Sequence, residues 1–320
     1  MPILVIAARD EWPTDRVVRA LADRGAEVFR MDIAEFPQNL TFAGRIDARR
    51  GWSGGLASPV RSLDLAEVTA VYYRAPNSFR FPEGMSDAER GFAAAQARFG
   101  FGGVLTALDC RWVNHPASMS QAEYKPTQLA AARMCGLNVP STLITNDPAA
   151  VRDFAAEANG PIICKPLSSP ALVEDNHLTT IYTRVLTEQD LLDLRGIETT
   201  AHLFQQWVEK DYEVRLTVVG DCMFAAKINA GTTQAYIDWR ADYRALTYLA
   251  TQVPVDTADA VRRLMRRLNL RFGALDFVVS STGKWTFLEV NPCGQWDWIQ
   301  NETDLPIAEA IADELLGAPT

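Results

Sequence analysis

The sequence lacks any apolar run that approaches the ~20 residues of a membrane-spanning helix. It also has no internal repeat and no low-complexity tract. Its five cysteines are scattered, odd in number, and form no CxxC pair, which is typical of reduced core thiols rather than of a disulfide framework. These absences predict a cytoplasmic protein without a membrane partner.

Basic residues are also scarce relative to acidic ones. The chain has 31 Lys and Arg against 40 Asp and Glu, a net charge of −9 and a pI of about 5.0. This balance argues against nucleic acid as a partner. An acidic substrate would therefore need a local basic pocket. The loop after the first apolar run, ARDEWPTD, has no glycine that would let a pyrophosphate approach, which excludes a dinucleotide site there.

The length of 320 residues, 48% of them hydrophobic, allows two or three domains. Alternating strand and helix patterns predict a parallel α/β domain over residues 1–115. A change of pattern predicts a central α+β subdomain over residues 116–200. Successive strand patterns predict an antiparallel sheet in residues 201–320. The predicted class is thus α/β (α+β).

The stretch from Gly273 to Asn291 carries the clearest local signal. Two apolar runs, ALDFVV and WTFLEVN, flank a Gly-containing break and predict a β-hairpin. A two-residue or a four-residue loop places Asp276 directly opposite Glu289, with Asn291 on the same face. Two opposed carboxylates and an amide oxygen suit Mg²⁺. The alternative is a half-solvated sheet face that carries two unrelated acids.

Several cations precede this hairpin along the chain. Lys125 stands at the entrance of one predicted helix, and Lys165 at the end of a short predicted strand. Arg215 lies among apolar residues and needs an anionic partner, for which Glu213 is one candidate. A two-residue turn at residues 220–221 puts Lys227 on the opposite face from Arg215, whereas a three-residue loop pairs them. The sequence leaves both open.

A polar strand end, Gln205-Gln206-Trp207-Val208, is followed by two acidic residues, Glu209 and Asp211. Backbone groups near Val208 can read an adenine base, and a nearby carboxylate can accept ribose hydroxyls. The alternative is an ordinary strand end.

Taken in order, Lys125, Lys165, QQWVEKDYEVR, KINAG and ALDF…FLEVN make the chain resemble the ATP-grasp superfamily over residues 112–316. The stretches VYYRAP, AAKINAGTTQAYIDWR and FLEVNPCGQW also resemble the graspetide synthetases, microviridin-type peptide ligases. The resemblance implies ATP and Mg²⁺ as cofactors and an N-terminal pre-ATP-grasp domain. It implies phosphate contacts by Lys125 and Lys165, an adenine hinge at Gln206, Trp207 and Val208, ribose binding by Glu209 or Asp211, catalysis by Arg215, and Mg²⁺ on Asp276, Glu289 and Asn291. The loop Leu167–Asn176 departs from the superfamily because it has no glycine run.

By the same resemblance, the chain would activate Asp or Glu side chains of a ribosomal precursor peptide and form ω-ester or ω-amide links. The basic cluster for that acidic peptide is predicted at Arg240, with Arg244 and Lys227, and Arg74 is predicted to face the same cleft. Lys227 and Arg240 are also predicted to be catalytic, together with Arg215. Alternatives are a ligase that joins a free amino acid to a small acid or a protein C-terminus, and a regulatory protein that only binds ATP. Outward arginines and exposed aromatics leave room for a homodimer.

Overall fold

The computed structural model describes residues 2–48, 51–168, 171–174 and 177–318. The first domain is built on a parallel sheet of strand order β2-β1-β6-β7, next to a small antiparallel sheet β3-β4-β5. This confirms the parallel α/β domain that the sequence predicts. Its elements are β1 (Ile3–Ala7), α1 (Trp12–Asp23), β2 (Val28–Met31), β3 (Thr41–Arg45), β4 (Ser53–Ala57), β5 (Ser62–Asp64), β6 (Ala70–Arg74), α2 (Asp87–Gln96), α3 (Gly103–Thr106) and β7 (Arg111–Val113).

The central part carries an antiparallel sheet of order β12-β9-β13-β8 and a separate hairpin β10-β11. Its elements are α4 (Pro116–Ala122), α5 (Lys125–Met134), β8 (Thr142–Thr145), α6 (Pro148–Glu157), β9 (Ile162–Lys165), β10 (Ala171–Glu174), β11 (His177–Thr180), β12 (Arg184–Val185), α7 (Glu188–Leu192) and β13 (His202–Gln206).

The strand pairing corrects one expectation about this region and leads us to propose a change to another. The segment Leu167–Asn176, expected to be a loop, contains strand β10, while residues 169–170 and 175–176 lie outside the described residues. β13 pairs with β8 and β9 rather than with the following strands. We therefore propose that the boundary expected at residue 200 lies after Gln206.

The last part is an antiparallel five-stranded sheet of order β16-β15-β14-β17-β18 with helices against it. Its elements are β14 (Tyr212–Val219), β15 (Cys222–Ala230), α8 (Thr233–Ile237), β16 (Leu246–Thr251), α9 (Val255–Arg267), β17 (Phe272–Val279), β18 (Trp285–Asn291), α10 (Asp297–Thr303) and α11 (Ile307–Leu316). The sheet buries one face against α5 and α9, because Leu216, Leu275 and Phe287 share a core with Ala132 and Leu264. This packing brings the N-terminus of α5 to β18.

A second core joins the first domain to the last. Ile3 and Val17 of the first domain are fully buried with Phe272, Trp296 and Ile311 of the last. Burial of a large apolar side chain stabilises a fold by about 1.5–3 kcal/mol, so this shared core holds the two domains together. In the described part of the chain, no helix is long and apolar enough to cross a membrane.

Candidate active site

A cavity of about 910 Å³ lies between the central sheet and the last sheet. Strand ends and loops of both sheets line it. One end is lined by the last residues of β13 and the two that follow it. The other end is lined by charged side chains of α5, β9, β17, β18 and the segment after α8. We call these the hinge end (residues 205–208) and the charged end (Lys125, Lys165, Arg240, Asp276 and Glu289).

Asp276 and Glu289 lie directly opposite each other in neighbouring strands, as the sequence predicts. The turn that joins the two strands, however, does not have either of the predicted lengths. The turn holds three residues between Ser280 and Lys284, because the Ser280 N–H donates to the Lys284 carbonyl at 3.0 Å. A bulge between Asp276 and Phe277 then shifts the register by one residue and restores the carboxylate pair.

Cations surround the two carboxylates. Arg215 Nη1 donates to Asp276 Oδ1 at 2.7 Å. Arg240 Nη2 donates both to Asp276 Oδ2 at 2.9 Å and to Glu289 Oε1 at 3.2 Å. Lys125 Nζ donates to Glu289 Oε2. Each of the four carboxylate oxygens therefore has a cationic donor, and the partner that Arg215 needs is Asp276 rather than Glu213.

These charges set the electrostatics of the charged end. Burial alone would raise the pKa of Glu289, but the opposing charges of Lys125, Lys165 and Arg240 hold that pKa well below its usual range. Burial lowers the pKa of the Lys165 amine to about 8, against a partial opposing effect of Glu289. The Lys165 amine therefore loses its proton at a lower pH than an ordinary lysine does, at about pH 8.

The donor set at the charged end fits a hard divalent cation. Asp276, Glu289 and Asn291 offer carboxylate and amide oxygens, the ligands that Mg²⁺ prefers. Asn291 lines the cavity, and its Oδ1 already accepts from the Cys293 N–H at 2.9 Å, which leaves one lone pair on that oxygen. Arg240 now bridges the two carboxylates, so a metal and this guanidinium cannot occupy the space between them together.

The hinge end offers unpaired polar groups instead of charge. Among the described residues, the backbone N–H and C=O of Val208 have no hydrogen-bond partner, whereas the Gln206 and Trp207 N–H groups donate to Ser141 and Pro161. Gln205 is 1% exposed and lines the cavity. Its Oε1 has no partner in the described structure.

Comparisons with known proteins identify chains of the same fold. Residues 2–120 match the family model described as the MvdD pre-ATP grasp domain. Macrocyclase MdnC from Microcystis aeruginosa MRC, solved with precursor peptide MdnA, is 29% identical, with 99% of this chain and 100% of that chain covered and a TM-score of 0.85. The comparison with curated proteins gives no match.

Two further solved structures are similar over nearly the whole chain. A Chryseobacterium gregarium RiPP-associated ATP-grasp ligase, solved with ADP and a leader and core peptide, is 26% identical, covers 99% and 97% of the two chains, and has a TM-score of 0.91. Macrocyclase MdnB from Microcystis aeruginosa MRC is 26% identical, covers 98% and 99%, and has a TM-score of 0.79.

The chain is an ATP-grasp ligase. The resemblance to graspetide synthetases that its sequence motifs carry is confirmed, together with the ATP-grasp fold.

Three site predictions for this ligase are wrong or unsupported by the geometry. Lys227 pairs with Val214, on the face opposite Arg215, and its amine lies 3.9 Å from the Tyr212 ring centroid. The two-residue turn is therefore the one the protein uses, and Lys227 does not join the site. Arg244 is exposed and does not line the cavity.

Arg74 is the third corrected residue. It does not face the cleft, since its side chain is 2% exposed and pairs with Glu11 at 2.8 Å. Its remaining contacts are with the segment that follows β18.

The ligase also has site residues that the sequence did not identify as functional. Lys210 and Glu213 line the cavity next to the hinge, joined by a Lys210 Nζ to Glu213 Oε1 contact of 2.7 Å. Burial raises the pKa of Glu213, although Lys210 opposes this shift. The signal was present, since Glu213 alternates onto the same face as Arg215.

The two ribose candidates do not line this cavity. Glu209 accepts hydrogen bonds from Trp207 Nε1 at 3.0 Å and from the Tyr236 hydroxyl at 3.3 Å. The Asp211 backbone N–H donates a hydrogen bond to the Val279 carbonyl at 2.8 Å. The choice between Glu209 and Asp211 stays a prediction.

Proposed function

We propose that this ligase uses ATP and Mg²⁺ to activate Asp or Glu side chains of a ribosomal precursor peptide and closes ω-ester or ω-amide links within that peptide. The observation that carries the proposal is the charged end, where Lys125 and Arg240 pair with Asp276 and Glu289. Arg215, which does not itself line the cavity, also pairs with Asp276. Such an arrangement of fixed charges suits phosphoryl transfer, which depends on positioning and charge neutralisation.

ATP fits the cavity in one direction. The adenine would lie at the hinge end, where Gln205 Oε1 and the backbone of Val208 are available to its polar edge. The phosphates would then reach Lys125 and Lys165 at the charged end. Asp276, Glu289 and Asn291 would hold Mg²⁺, which when bound supplies positive charge to the phosphate oxygens.

When the Arg240 guanidinium is displaced from Asp276 and Glu289 by Mg²⁺, that guanidinium becomes available to bind the substrate. Its guanidinium lies 4.5 Å from the Trp239 ring centroid and 3.7 Å from Asp238 Oδ1, and it is one-third exposed towards the cavity. A peptide carboxylate that enters the cavity needs such a cation, because the chain as a whole repels it. We assign Arg240 to the carboxylate of the substrate and Arg215 to the transferred phosphoryl group.

The chemistry proceeds in two balanced steps. A carboxylate oxygen of the peptide attacks the γ-phosphorus, ADP leaves, and an acyl phosphate forms. A Ser or Thr hydroxyl or a Lys amine of the same peptide then attacks the acyl carbon, loses its proton, and releases phosphate. The residues of the site hold the reactants in position and balance their charge.

The nature of the substrate is supported by the similar structures. Macrocyclase MdnC was solved with precursor peptide MdnA, and the Chryseobacterium gregarium ligase with ADP and a leader and core peptide. We propose the same class of substrate for this ligase, and a cytoplasmic location in keeping with its free cysteines. A homodimer stays a prediction.

Mass spectrometry tests this proposal. An acidic, Ser/Thr-rich candidate peptide encoded beside the gene would be incubated with the ligase, ATP and Mg²⁺, and with the Asp276→Ala/Glu289→Ala variant as control. Stepwise loss of water that is absent from the control supports intramolecular closure. A gain of mass with added free amino acids would instead favour the small-acceptor ligase. ATP binding without turnover on such peptides would favour the regulatory protein.

A further inference from the structure

Arg74 ends β6 of the first domain and is 2% exposed, although a guanidinium stays charged in proteins. Its Nε donates to Glu11 Oε1 at 2.8 Å. Its Nη1 donates to the carbonyl oxygens of Cys293 at 2.7 Å and Gly294 at 2.9 Å, and its Nη2 donates to Gln295 Oε1 at 2.8 Å. Each guanidinium nitrogen thus has a partner, and within the described part of the chain all partners except Glu11 belong to one short segment after β18.

That segment is tied to the residue before it and to the first domain. The Gly294 N–H donates to the Asn291 carbonyl at 3.2 Å, and the Cys293 N–H donates to the Asn291 side chain at 2.9 Å. Asn114 donates through Nδ2 to the Pro292 carbonyl at 2.9 Å. The conformation of the segment, and with it the orientation of Asn291, therefore depends on contacts from outside the last domain.

The same segment reaches the charged end. The Gln295 carbonyl accepts from Arg215 Nη2 at 3.4 Å, while Arg215 Nη1 donates to Asp276 Oδ1 at 2.7 Å. A continuous series of polar contacts thus runs from Glu11 through Arg74 and Gln295 to Arg215 and Asp276. Its first two members belong to the first domain, outside the cavity.

We propose that Arg74 is a positioning residue: held by Glu11, it fixes the segment after β18 so that Asn291 and Arg215 face the metal and the phosphates correctly. A lysine keeps the charge but not the planar fork that bonds several acceptors at once. This inference rests on the proposed function, because it assigns Arg74 a role towards metal-bound nucleotide. It replaces the prediction that Arg74 binds the peptide.

The test compares Arg74→Lys with Arg111→Lys. Arg111 also links the first domain to the last, through Glu314 Oε1 at 3.0 Å, but it does not contact the segment after β18 in the described structure. For each protein one would measure the thermal midpoint and the Mg²⁺ concentration that half-saturates binding of a non-hydrolysable ATP analogue. Both variants lower the midpoint. Only Arg74→Lys raises the half-saturating Mg²⁺ concentration, by about tenfold, as loss of an outer-shell contact to a metal site does.

Gln295→Ala keeps the test valid if Arg74→Lys does not fold. Gln295 is exposed, and this change removes one Arg74 contact without touching the core. It raises the half-saturating Mg²⁺ concentration about threefold, in line with one hydrogen bond. If the wild type binds the analogue with Mg²⁺ and the Arg74 and Gln295 variants show the Mg²⁺ dependence of Arg111→Lys, the inference is overturned alone. If the wild type does not bind the analogue, the proposed function fails and the inference fails with it.

Discussion

The two ends of the cavity are built in different ways. The hinge end comes from one stretch of chain, residues 205–208, and offers backbone groups and one buried amide. The charged end is assembled from α5, β9, β17, β18 and the segment after α8, and its cations and carboxylates neutralise one another. Local sequence therefore determines the first, whereas tertiary structure determines the second.

This difference has energetic consequences. A neutral hydrogen bond contributes about 0.5–1.5 kcal/mol, so the loss of a contact at the hinge end is tolerated. Removal of one partner from a buried ion pair costs about 3–5 kcal/mol, because an uncompensated charge stays behind. We therefore expect substitutions to have graded effects, largest at the charged end and smallest at the hinge end.

The largest effect is expected for Asp276→Asn. The change leaves Arg215 without its anionic partner at a site where both side chains are 6% exposed. We expect a loss of about 3–5 kcal/mol in the free energy of unfolding, measured by urea denaturation, and loss of ATP-dependent turnover.

A matched control for that variant is Asp259→Asn. Asp259 pairs with Arg262 at 2.8 Å, but the two side chains are 54% and 37% exposed. Its expected cost is below about 1 kcal/mol because solvent screens exposed ion pairs. Equal costs for the two variants would contradict the high energetic cost of breaking the buried ion pair at the charged end.

Arg240→Gln is expected to lower the thermal midpoint without metal and to enlarge the rise in midpoint that Mg²⁺ produces. Without Mg²⁺, Asp276 and Glu289 lose the cation between them, so the thermal midpoint falls. With Mg²⁺, the competing guanidinium is gone, so the metal-induced rise in midpoint exceeds that of the wild type. A variant that Mg²⁺ stabilises no more than the wild type would show that Arg240 and the metal do not share a position. Thermal denaturation over a Mg²⁺ titration makes this measurement.

The same contrast explains what the sequence could predict. A polar strand end indicated the hinge residues, and alternation along two strands indicated the opposed pair Asp276 and Glu289; both signals are local. Even there, the bulge at Leu288 was not foreseeable, and the predicted register holds because the bulge compensates for the longer turn. The general course of the fold was also accessible, since β-α-β alternation is visible in the first domain.

The positions of the Arg74 and Lys227 side chains could not be predicted from local sequence patterns. Arg74 is followed by a loop and was therefore predicted to face the cleft, but all its partners except Glu11 in the described structure lie about 220 residues further along the chain. The face of the sheet on which Lys227 lies depends on the length of the β14–β15 turn. One additional residue in that turn would move every following side chain of β15 to the opposite face. No pattern within either segment encodes these long-range or register choices.

An effect of intermediate size is expected for the pH dependence of ATP binding, through Lys165. Because burial lowers the pKa of its amine to about 8 in the folded protein, the cation is present below pH 8 and is lost above it. Affinity for an ATP analogue should therefore fall as pH rises from 7 to 9, towards tenfold per pH unit. Lys165→Arg should remove this fall, because arginine stays charged.

The contribution of Lys165 to stability should rise with pH, whereas its contribution to ATP affinity should fall. Between about pH 8 and the ordinary lysine pKa of about 10.4, the unfolded chain binds more protons at Lys165 than the folded chain does. The contribution of Lys165 to the free energy of unfolding therefore rises with pH in that window. Denaturation of wild type and Lys165→Met at pH 8 and pH 10 isolates this contribution. A difference that does not change with pH would contradict the lowered pKa.

The smallest effect is expected at the hinge end, for Gln205→Leu. Its Nε2 donates to Thr142 Oγ1 at 2.9 Å, while Oε1 is free to accept from a base. We expect three- to tenfold weaker binding of an ATP analogue by calorimetry, the effect of one hydrogen bond, with the Mg²⁺ dependence unchanged. Gln206→Leu is the matched control, because the Gln206 side chain donates to the Asn159 carbonyl at 3.3 Å. If Gln206→Leu weakens binding more than Gln205→Leu does, the adenine is read by the neighbouring side chain. If Gln205→Leu changes the Mg²⁺ dependence, the two ends of the cavity are coupled rather than separate.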